Sequence, residues 1–600
     1  MAHPLSRYRL RLLNDFIRIA FVPFLIFLFI LSVLHVRPGF LLLPFYLPFV
    51  FSCALVRNFY SDYHRRQDAY ARGAKLPPQV VGRWPGNLDV LIQRRRAAQS
   101  DYLAEFYHEL FQKYESTTLN LKLLWIDMRA LVAQYITMDQ EHIKYITATG
   151  FDRFWKGRLI KEMVEPFLGA GIFNRDDEEW KAHRSLARPF FSRDRATDFE
   201  LFERYTNTTL TIISSLSASG KAVEVQDLFS RFTLDAAAAA LFGTELDSLR
   251  CALPVPGQSA GTRMKIVTTD KFGSFAQAFE ACQDVYMGRI TKGYFWPITQ
   301  ITHDDMTPHV KIIEQCIHPM AARAVERKAE RKRVGMTSAE KQDVFLDHLA
   351  EHTEDPKHIQ DQLLNILLAG RDTTSCLLTF ITYFMALYPD VVRRMRADIM
   401  EHVGSGVPTS ENIKALRYVR AVINETLRLF PPVPHNIRET RHEPVVFPKT
   451  DGTFGSPQDN DSIYMPANTP IMFIRFLTQR NQALWGSDAE QFDPDRWLDD
   501  RLARFLQNPM MYTPFNSGPR VCIGQNYALN QATYFLVRLL QRFDSFTLAP
   551  ECQPEGSLPP QGWKHGRGRQ AIEQIVPTAA VSTYVKGGLW VRFHSSEKDI

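Results

Sequence analysis

The chain has 600 residues, 45% hydrophobic, 12% aromatic and 23% charged, a balance that excludes a disordered protein and allows a large buried core. Its 71 lysines and arginines exceed its 65 acidic residues by six, with no dense basic stripe, so no nucleic-acid partner is expected; basic patches for an acidic protein or anionic lipid fit better. Seven scattered cysteines (Cys53, Cys251, Cys282, Cys316, Cys376, Cys522 and Cys552) show no paired metal-ligand spacing and suit a body in a reducing, cytosol-facing compartment.

After Arg7, Arg9, Arg11 and Arg18, the run Ile19 to Val36 carries no charge beyond what His35 could take up. Past Arg37-Pro38-Gly39, Phe40 to Val56 is again uncharged. Each run approaches the roughly 20 apolar residues that cross a hydrocarbon core as a helix. Neither is followed by the small-residue cleavage site of a secretory signal. Two topologies are open. In a hairpin of two spans, the arginines before Ile19 and those from Arg57 to Arg72 both face the cytosol; with one span and a surface-lying segment, the N-terminus is lumenal. The hairpin is preferred, and either arrangement leaves residues 73–600 cytosolic behind an anchor of residues 1–72. Gly73, Pro77, Pro78, Pro85 and Gly86 predict a stiff, non-helical linker.

Leu88 to Ala133 reads as helix with charged faces, and Ile136 to Phe151 as short strands and turns. Phe167-Leu168-Gly169-Ala170-Gly171-Ile172-Phe173-Asn174 then leads into a helix that sets Trp180 and Arg184 four apart on one face. Indole and guanidinium both donate hydrogen bonds, as a bound carboxylate requires, although such pairs also pack on ordinary surface helices. Leu228 to Gly243, with five consecutive alanines, predicts a helix that a neighbour approaches closely. From Leu246 to Ala321 no clear element emerges: a loop around Pro254 to Thr262 precedes Phe272, Phe275, Phe279, Tyr286, Tyr294, Phe295 and Trp296. Arg323 to Arg333 reads as a solvated basic face or a linker.

Asp355-Pro356 opens the longest helix, because aspartate caps and proline is accepted at the first helical position; Pro389 stops it. Its centre, Ala369-Gly370-Arg371-Asp372-Thr373-Thr374, is poor helix chemistry and predicts a local break. Gly370 would let a small ligand reach the backbone, Thr373 could bond it or hold water, and Asp372 could pass protons; the bland alternative is a capped kink with a solvated aspartate. Glu425 and Arg428 stand three apart on a further helix, and Pro431 to Arg438 reads as extended, with His435 structural. Phe447 to Asn468 suggests a hairpin whose long loop holds Gly452, Gly455 and Pro457. Pro554 to Gly568 reads as loop and Leu589 to Phe593 as a final strand.

Phe515-Asn516-Ser517-Gly518-Pro519-Arg520-Val521-Cys522-Ile523-Gly524 is the densest signal, a tight turn around one cysteine followed by an apolar helix over Gln525 to Phe543. Turn amides and a helix N-terminus predict a lowered thiol pKa and a thiolate that ligates metal. Haem iron is the natural partner, since thiolate ligation favours O–O cleavage. The spacing of Phe515, Gly518, Arg520, Cys522 and Gly524 resembles the ligand loop of the cytochrome P450 superfamily. Trp180 with Arg184, Ala369 to Thr374, and Glu425 with Arg428 precede it in that family's order, so the resemblance runs from about residue 85 to the C-terminus.

The resemblance implies a mainly α fold with a small β region, the cytochrome P450 fold, holding haem b between the long helix and the ligand loop. Cys522 would be the iron ligand. Trp180, Arg184 and Arg438 would serve the haem propionates, and Ala369, Gly370, Phe515, Arg520 and Gly524 would lie against the cofactor. Asp372 and Thr373 would be the catalytic pair, and Val433, Asn436 and Ile437 would face substrate beneath a roof built from the aromatic-rich region. Glu425, Arg428 and Arg496, the last within Phe492-Asp493-Pro494-Asp495-Arg496-Trp497, would form a buried charge network. The implied reaction inserts one atom of O2 into a C–H bond of a hydrophobic substrate. About 78 residues follow Cys522, too few for a flavin domain, so electrons are expected from NADPH through NADPH–cytochrome P450 reductase, or from cytochrome b5, at the endoplasmic reticulum membrane. The runs around Gly169, Gly370 and Glu425 look closest to fungal alkane and fatty-acid hydroxylating branches. Broad-range oxidation of aromatic hydrocarbons or secondary metabolites is the alternative, and a membrane haem- or lipid-binding protein without turnover the non-enzyme one, against which a proton-handling pair argues. Asn516 stands where many relatives have glycine, and Gln531 where membrane relatives often have glutamate.

Overall fold

The computed structural model describes residues 5–37, 39–100, 102–122, 134–191, 198–257, 271–333, 344–450 and 461–595. Among these residues helices dominate and four small sheets complete the fold, the mainly α architecture expected. Two compact units are present. The first comprises Met1–Phe167, Asp284–Thr307 and Ile437–Phe473, and the second Leu168–Gln283, Pro308–Asn436 and Ile474–Ile600.

The first unit begins with two helices long and apolar enough to cross a membrane, Tyr8–Val33 and Leu42–Ala71. They pack side by side: Tyr46 meets Phe24 and Phe27 at ring separations of 5.2 and 5.7 Å, and Phe27 meets Phe49 at 5.1 Å. The start of one and the end of the other return to the same unit. Tyr8 donates to the Gln300 carbonyl (3.1 Å), while Lys122 pairs with Asp62 (2.6 Å) and Tyr464 bonds Asp68 (3.3 Å). Beyond Gly73 the linker is extended, as its prolines require, and it is pinned rather than free: Lys75 bridges Ile463 and Gln79 bridges Asn120.

The charged helix expected over 88–133 is instead two helices, Leu88–Ser100 and Glu105–Lys113, followed by a strand Thr118–Asn120. Ala104 at φ 63 turns the chain between the helices, and residues 123–133 lie outside the described ones. The strand Tyr135–Thr137 runs into a short helix, Gln140–Lys144, where strands and turns were expected. Asp139 caps it by accepting from the Glu141 and His142 amides. These strands belong to a five-stranded sheet in the order Thr118–Asn120, Tyr135–Thr137, Pro470–Phe473, Asn436–Thr440, Phe154–Trp155. Val445–Phe447 and Ile463–Met465 form the expected antiparallel hairpin; its connection over 451–460, with Gly452, Gly455 and Pro457, lies outside the described residues.

The second unit is organised on the helix Pro356–Leu387, capped by Asp355 accepting from the Lys357 amide at 2.9 Å and ended before Pro389. The expected central break does not occur. Thr373 returns its hydroxyl to the Ala369 carbonyl (2.7 Å), and nearly every neighbouring side chain is buried, so packing overrides the weak local propensity. Helix Val225–Phe242, with its alanines, runs against it closely enough for the Thr233 hydroxyl to donate to the Arg371 carbonyl at 3.0 Å. The unclear region, of which Asp284–Thr307 is assigned to the first unit, contains helix Lys271–Lys292, a 3-10 segment Gly293–Gln300 and helix Thr307–Arg333, whose last turns carry the basic run; residues 258–270 lie outside the described ones. Trp590–His594 is the final strand, between Val223–Glu224 and Ser545–Leu548.

Candidate active site around Cys522

The turn bearing Cys522 is closed by its own backbone: the Cys522 amide donates to the Phe515 carbonyl (2.9 Å) and the Val521 amide to Gly518 (3.0 Å). Gly518 takes φ 67 without strain. Asn516 takes φ 68, a cost offset by its side chain, which donates to the Arg520 carbonyl (3.1 Å) and accepts from Arg475. That explains how a residue other than glycine is accommodated at this positive φ. Helix Gln525–Arg542 starts immediately after Gly524 and packs on the long helix.

Cys522 presents exposed surface, yet protein surrounds it on nearly every side, which places the sulfur in a concavity. Burial pushes its thiol up, against the pull of the Gly524 amide and the Arg184 charge. The expected lowering is therefore corrected: desolvation of a thiolate outweighs the turn amides, and a bound cation is what would make this sulfur a thiolate.

Arg520 ties the turn to the tryptophan helix, Asp177–Ala187. It pairs with Asp176 (2.8 Å), donates to the Arg175 carbonyl (2.7 Å) and stacks 4.3 Å from the Trp180 ring. Trp180 is buried, and Arg184, half-buried, lies 6.0 Å from its ring; burial pulls the Arg184 guanidinium down while Cys522 pushes it up. The structure thus brings Cys522, Arg520, Trp180 and Arg184 together.

On the long helix, residues 359–385 are buried except at Leu368, Ala369, Gly370 and Thr373, which open to one side. Among the described residues, a Cβ added to Gly370 would meet nothing within 4 Å beyond its own helical turn. Asp372 turns away from this opening onto Arg371 (3.3 Å), which also pairs with the buried Glu280. Burial pulls the Arg371 guanidinium down, but Glu280 and Asp372 push it up further.

Haem suits this donor set: Cys522 offers one sulfur ligand in a concavity, and the prosthetic group would supply the other ligands to its iron. The open stretch at Gly370 leaves room beside a helix, and Arg184 supplies positive charge near the sulfur.

Behind the turn, Glu425 is fully buried between Arg428 (2.8 Å) and Arg496 (3.0 Å), and also accepts from Trp497 Nε1 (3.0 Å) and the Asp493 amide (3.0 Å). Burial pushes its carboxyl up, and the two guanidinium groups hold it below the usual range all the same. Gln479 was not legible in the sequence. Its Nε2 bonds the Leu427 and Arg428 carbonyls (3.0 and 2.9 Å) while its Oε1 accepts from the Thr513 amide (3.2 Å), which links the charge network to the cysteine turn. No local pattern marks such a residue, since all its partners are distant in sequence. Val433 and Asn436 are half-buried in the second unit. Ile437 and Arg438 belong to the first, where Arg438 is buried and donates to the Ile437 carbonyl (2.8 Å).

Comparison with known proteins gives a consistent family. The family model described as Cytochrome P450 matches residues 84–565. Cytochrome P450 52-E3 of Starmerella bombicola is 33% identical over 81% of this chain and 88% of its own length. Cytochrome P450 52A6 of Candida tropicalis is 31% identical over 81% and 89%, and cytochrome P450 monooxygenase himC of Aspergillus japonicus is 34% identical over 68% and 69%.

Proposed function

This chain belongs to the cytochrome P450 family and is a monooxygenase of hydrophobic substrates; we propose that its substrate is a fatty acid or alkane, hydroxylated on a chain carbon. The observation that carries the reading is one unit holding both the Cys522 concavity and a long helix whose buried central run opens at Leu368, Ala369, Gly370 and Thr373. Bound haem would supply reductive activation of dioxygen. Cys522 would ligate it, Trp180, Arg184 and Arg438 would donate to its carboxylates, Phe515 and Gly524 would shape the turn beneath it, and Arg520 would hold turn and tryptophan helix in register through Asp176.

On the substrate side, Ala369 and Gly370 keep the helix backbone approachable. The Thr373 hydroxyl, held now on the Ala369 carbonyl, would be free to donate into the opening at the cost of one helix-side bond. Asp372, anchored by Arg371, would accept and return protons arriving from solvent rather than touch substrate. Val433, Asn436 and Ile437 would contact the chain of the substrate. Residues 1–72 would anchor the catalytic residues 73–600 to the endoplasmic reticulum membrane, with electrons arriving from NADPH through a separate reductase, assisted by cytochrome b5. Membrane association itself follows from the two apolar helices.

The test is product analysis of the full-length protein in membranes with a reductase, NADPH and a medium-chain fatty acid beside a polycyclic aromatic. Hydroxylation confined to the last carbons of the fatty acid supports the reading. Comparable oxidation of the aromatic replaces it with the broad-range alternative. Cys522→Ser should lose both thiolate absorbance and product, whereas Thr373→Ala should keep the absorbance and divert electrons to peroxide; a pure binding protein would show no product and no peroxide with either.

A further inference from the structure

The first helix of the anchor is built the wrong way round for a simple tether. Leu10, Leu13 and Phe16 point outward at 57%, 53% and 60% exposure, the side that lipid would cover. Tyr8, Arg11 and Asp15, spaced i, i+3 and i+7, form the opposite stripe and are all engaged with the first unit. Arg11 grips Glu162 with a two-pronged set of bonds (Nε to Oε2 3.0 Å, Nη2 to Oε1 2.7 Å), donates to the Tyr294 carbonyl (3.3 Å) and lies 4.2 Å over the Tyr294 ring. The Tyr294 hydroxyl in turn donates to Asp15 at 2.7 Å. Tyr8 is 2% exposed, donates to the Gln300 carbonyl and tilts against Trp296 at 4.9 Å.

The receiving surface is itself rigid. Arg289, fully buried, lies 4.1 Å from the Trp296 ring, pairs with Asp304 (2.7 Å), and bonds Gln300 Oε1 (2.8 Å) and the Met163 carbonyl (2.9 Å). Tyr8, Met163 and Trp296 form one buried cluster, and Ile437 packs on it. A leash needs none of these contacts, and positive charge for the lipid headgroups would be served by any arginine; Arg11 is instead committed to one carboxylate in bidentate geometry.

We propose that the docked stripe Tyr8, Arg11 and Asp15 positions Trp296 and Ile437, so that the anchor is a specificity-determining part of the catalytic body. The proposal rests on the assignment of Ile437 to the substrate path. Ile437 is then held from behind by a cluster completed only when the anchor is seated, and loosening the seat would change which carbon reaches the oxidant while leaving the cofactor site intact. These are positioning residues; none is assigned to substrate or haem.

The experiment uses the full-length protein in membranes and has two parts. Docking is read without substrate: cysteines placed by Arg11→Cys and Glu162→Cys should be joined by a short thiol-to-thiol crosslinker, with each single variant as control, and failure of the pair to join overturns the proposal. Function is read by Arg11→Glu, Glu162→Arg and the double exchange. Each single variant should shift the ratio of terminal to internal hydroxylation about fivefold or more and raise KM, with haem content and kcat within about twofold, and the double exchange should restore the ratio. An unchanged ratio in the single variants overturns the proposal, as does a double exchange no better than the singles. If the fatty acid is not oxidised at all, the fatty-acid reading fails on its own, and the same ratio is read between ring positions of the polycyclic aromatic.

Discussion

Gly370 sits in a helix interior, where alanine would hold the helix better by about 0.5–1 kcal/mol. Among the described residues nothing beyond its own helical turn stands within 4 Å of an added Cβ, so packing against other elements gives no reason for glycine. Gly370→Ala should therefore raise the thermal unfolding midpoint slightly while lowering turnover, and an unchanged kcat would show that the opening serves no reaction partner. The glycine was legible in the sequence because it contradicts its helix. The behaviour of Cys522 was legible only in part: spacing marked the residue, but the direction of its thiol pKa depends on burial, which no local pattern carries. His183 is a second case hidden from sequence. Its Nδ1 shares a hydrogen bond with Gln362 (2.9 Å), and burial, with His358 at 5.0 Å and Arg175, pushes it down to about 4 despite Glu179. In an unfolded chain its pKa is about 6.5, so from there down to about 4 the unfolded state binds a proton that the folded state refuses. That stability is complete above about pH 6.5 and is lost as pH falls towards 4. Between pH 7 and 4.5 the parent should lose about 2 kcal/mol more than His183→Gln, measured by denaturant unfolding at each pH.

Among the elements, the segment that joins the tryptophan helix to the long helix shows why tertiary contacts decide what glycines are for. Asp361 accepts from the Ala170 amide (2.8 Å), and Asn365 donates to the Leu168 carbonyl (2.9 Å) and accepts from the Phe173 amide (3.2 Å). A Cβ on Gly169 or Gly171 would run into the side chains of Asp361 and Asn365, and Gly169 is also at φ 57. In sequence this stretch is a conspicuous run of small residues; its purpose appears only when residues nearly two hundred positions later arrive. The long helix and its cap were readable because Asp355 and Pro356 act locally. The break within it was misread because burial of both flanks supplies what propensity withholds. The Glu425 helix makes the same point with charge. An i, i+3 pair is common on exposed helices, but here Glu425 and Arg428 are both fully buried and Arg496 shares the carboxylate. Glu425→Gln keeps the shape and removes the charge facing two guanidinium groups, so it should destabilise the fold by roughly 3–5 kcal/mol. The readout is the yield of haem-loaded protein and its unfolding midpoint; a variant as stable as the parent would mean that the charge on Glu425 contributes nothing net to stability.

For the whole molecule, the order of four motifs was enough to suggest the family, and through that resemblance the mainly α fold, because each motif is a short local pattern. The anchor's topology was left between two choices, because charge before and after two apolar runs favours a hairpin without excluding a single span. The structure adds a constraint that sequence could not: Tyr8 and Arg11 at the start of the first apolar helix, and Asp62 and Asp68 towards the end of the second, bond partners in one compact unit. A bilayer cannot separate groups that are hydrogen-bonded to the same body, so both ends of the anchor must lie on the membrane face where that body lies. The first helix must then cross and the second return. At 1.5 Å per residue, the 18 residues from Phe16 to Val33, beyond the docked turns, rise about 27 Å, close to the roughly 30 Å hydrocarbon core, so the first helix can cross while its docked turns remain outside the core. In sealed microsomes, a tag placed before Met1 should therefore be digested by added protease without detergent, as readily as a tag placed after Ile600. Protection of the N-terminal tag alone would mean a lumenal start, and with it the docking of Arg11 on Glu162 could not exist in the membrane.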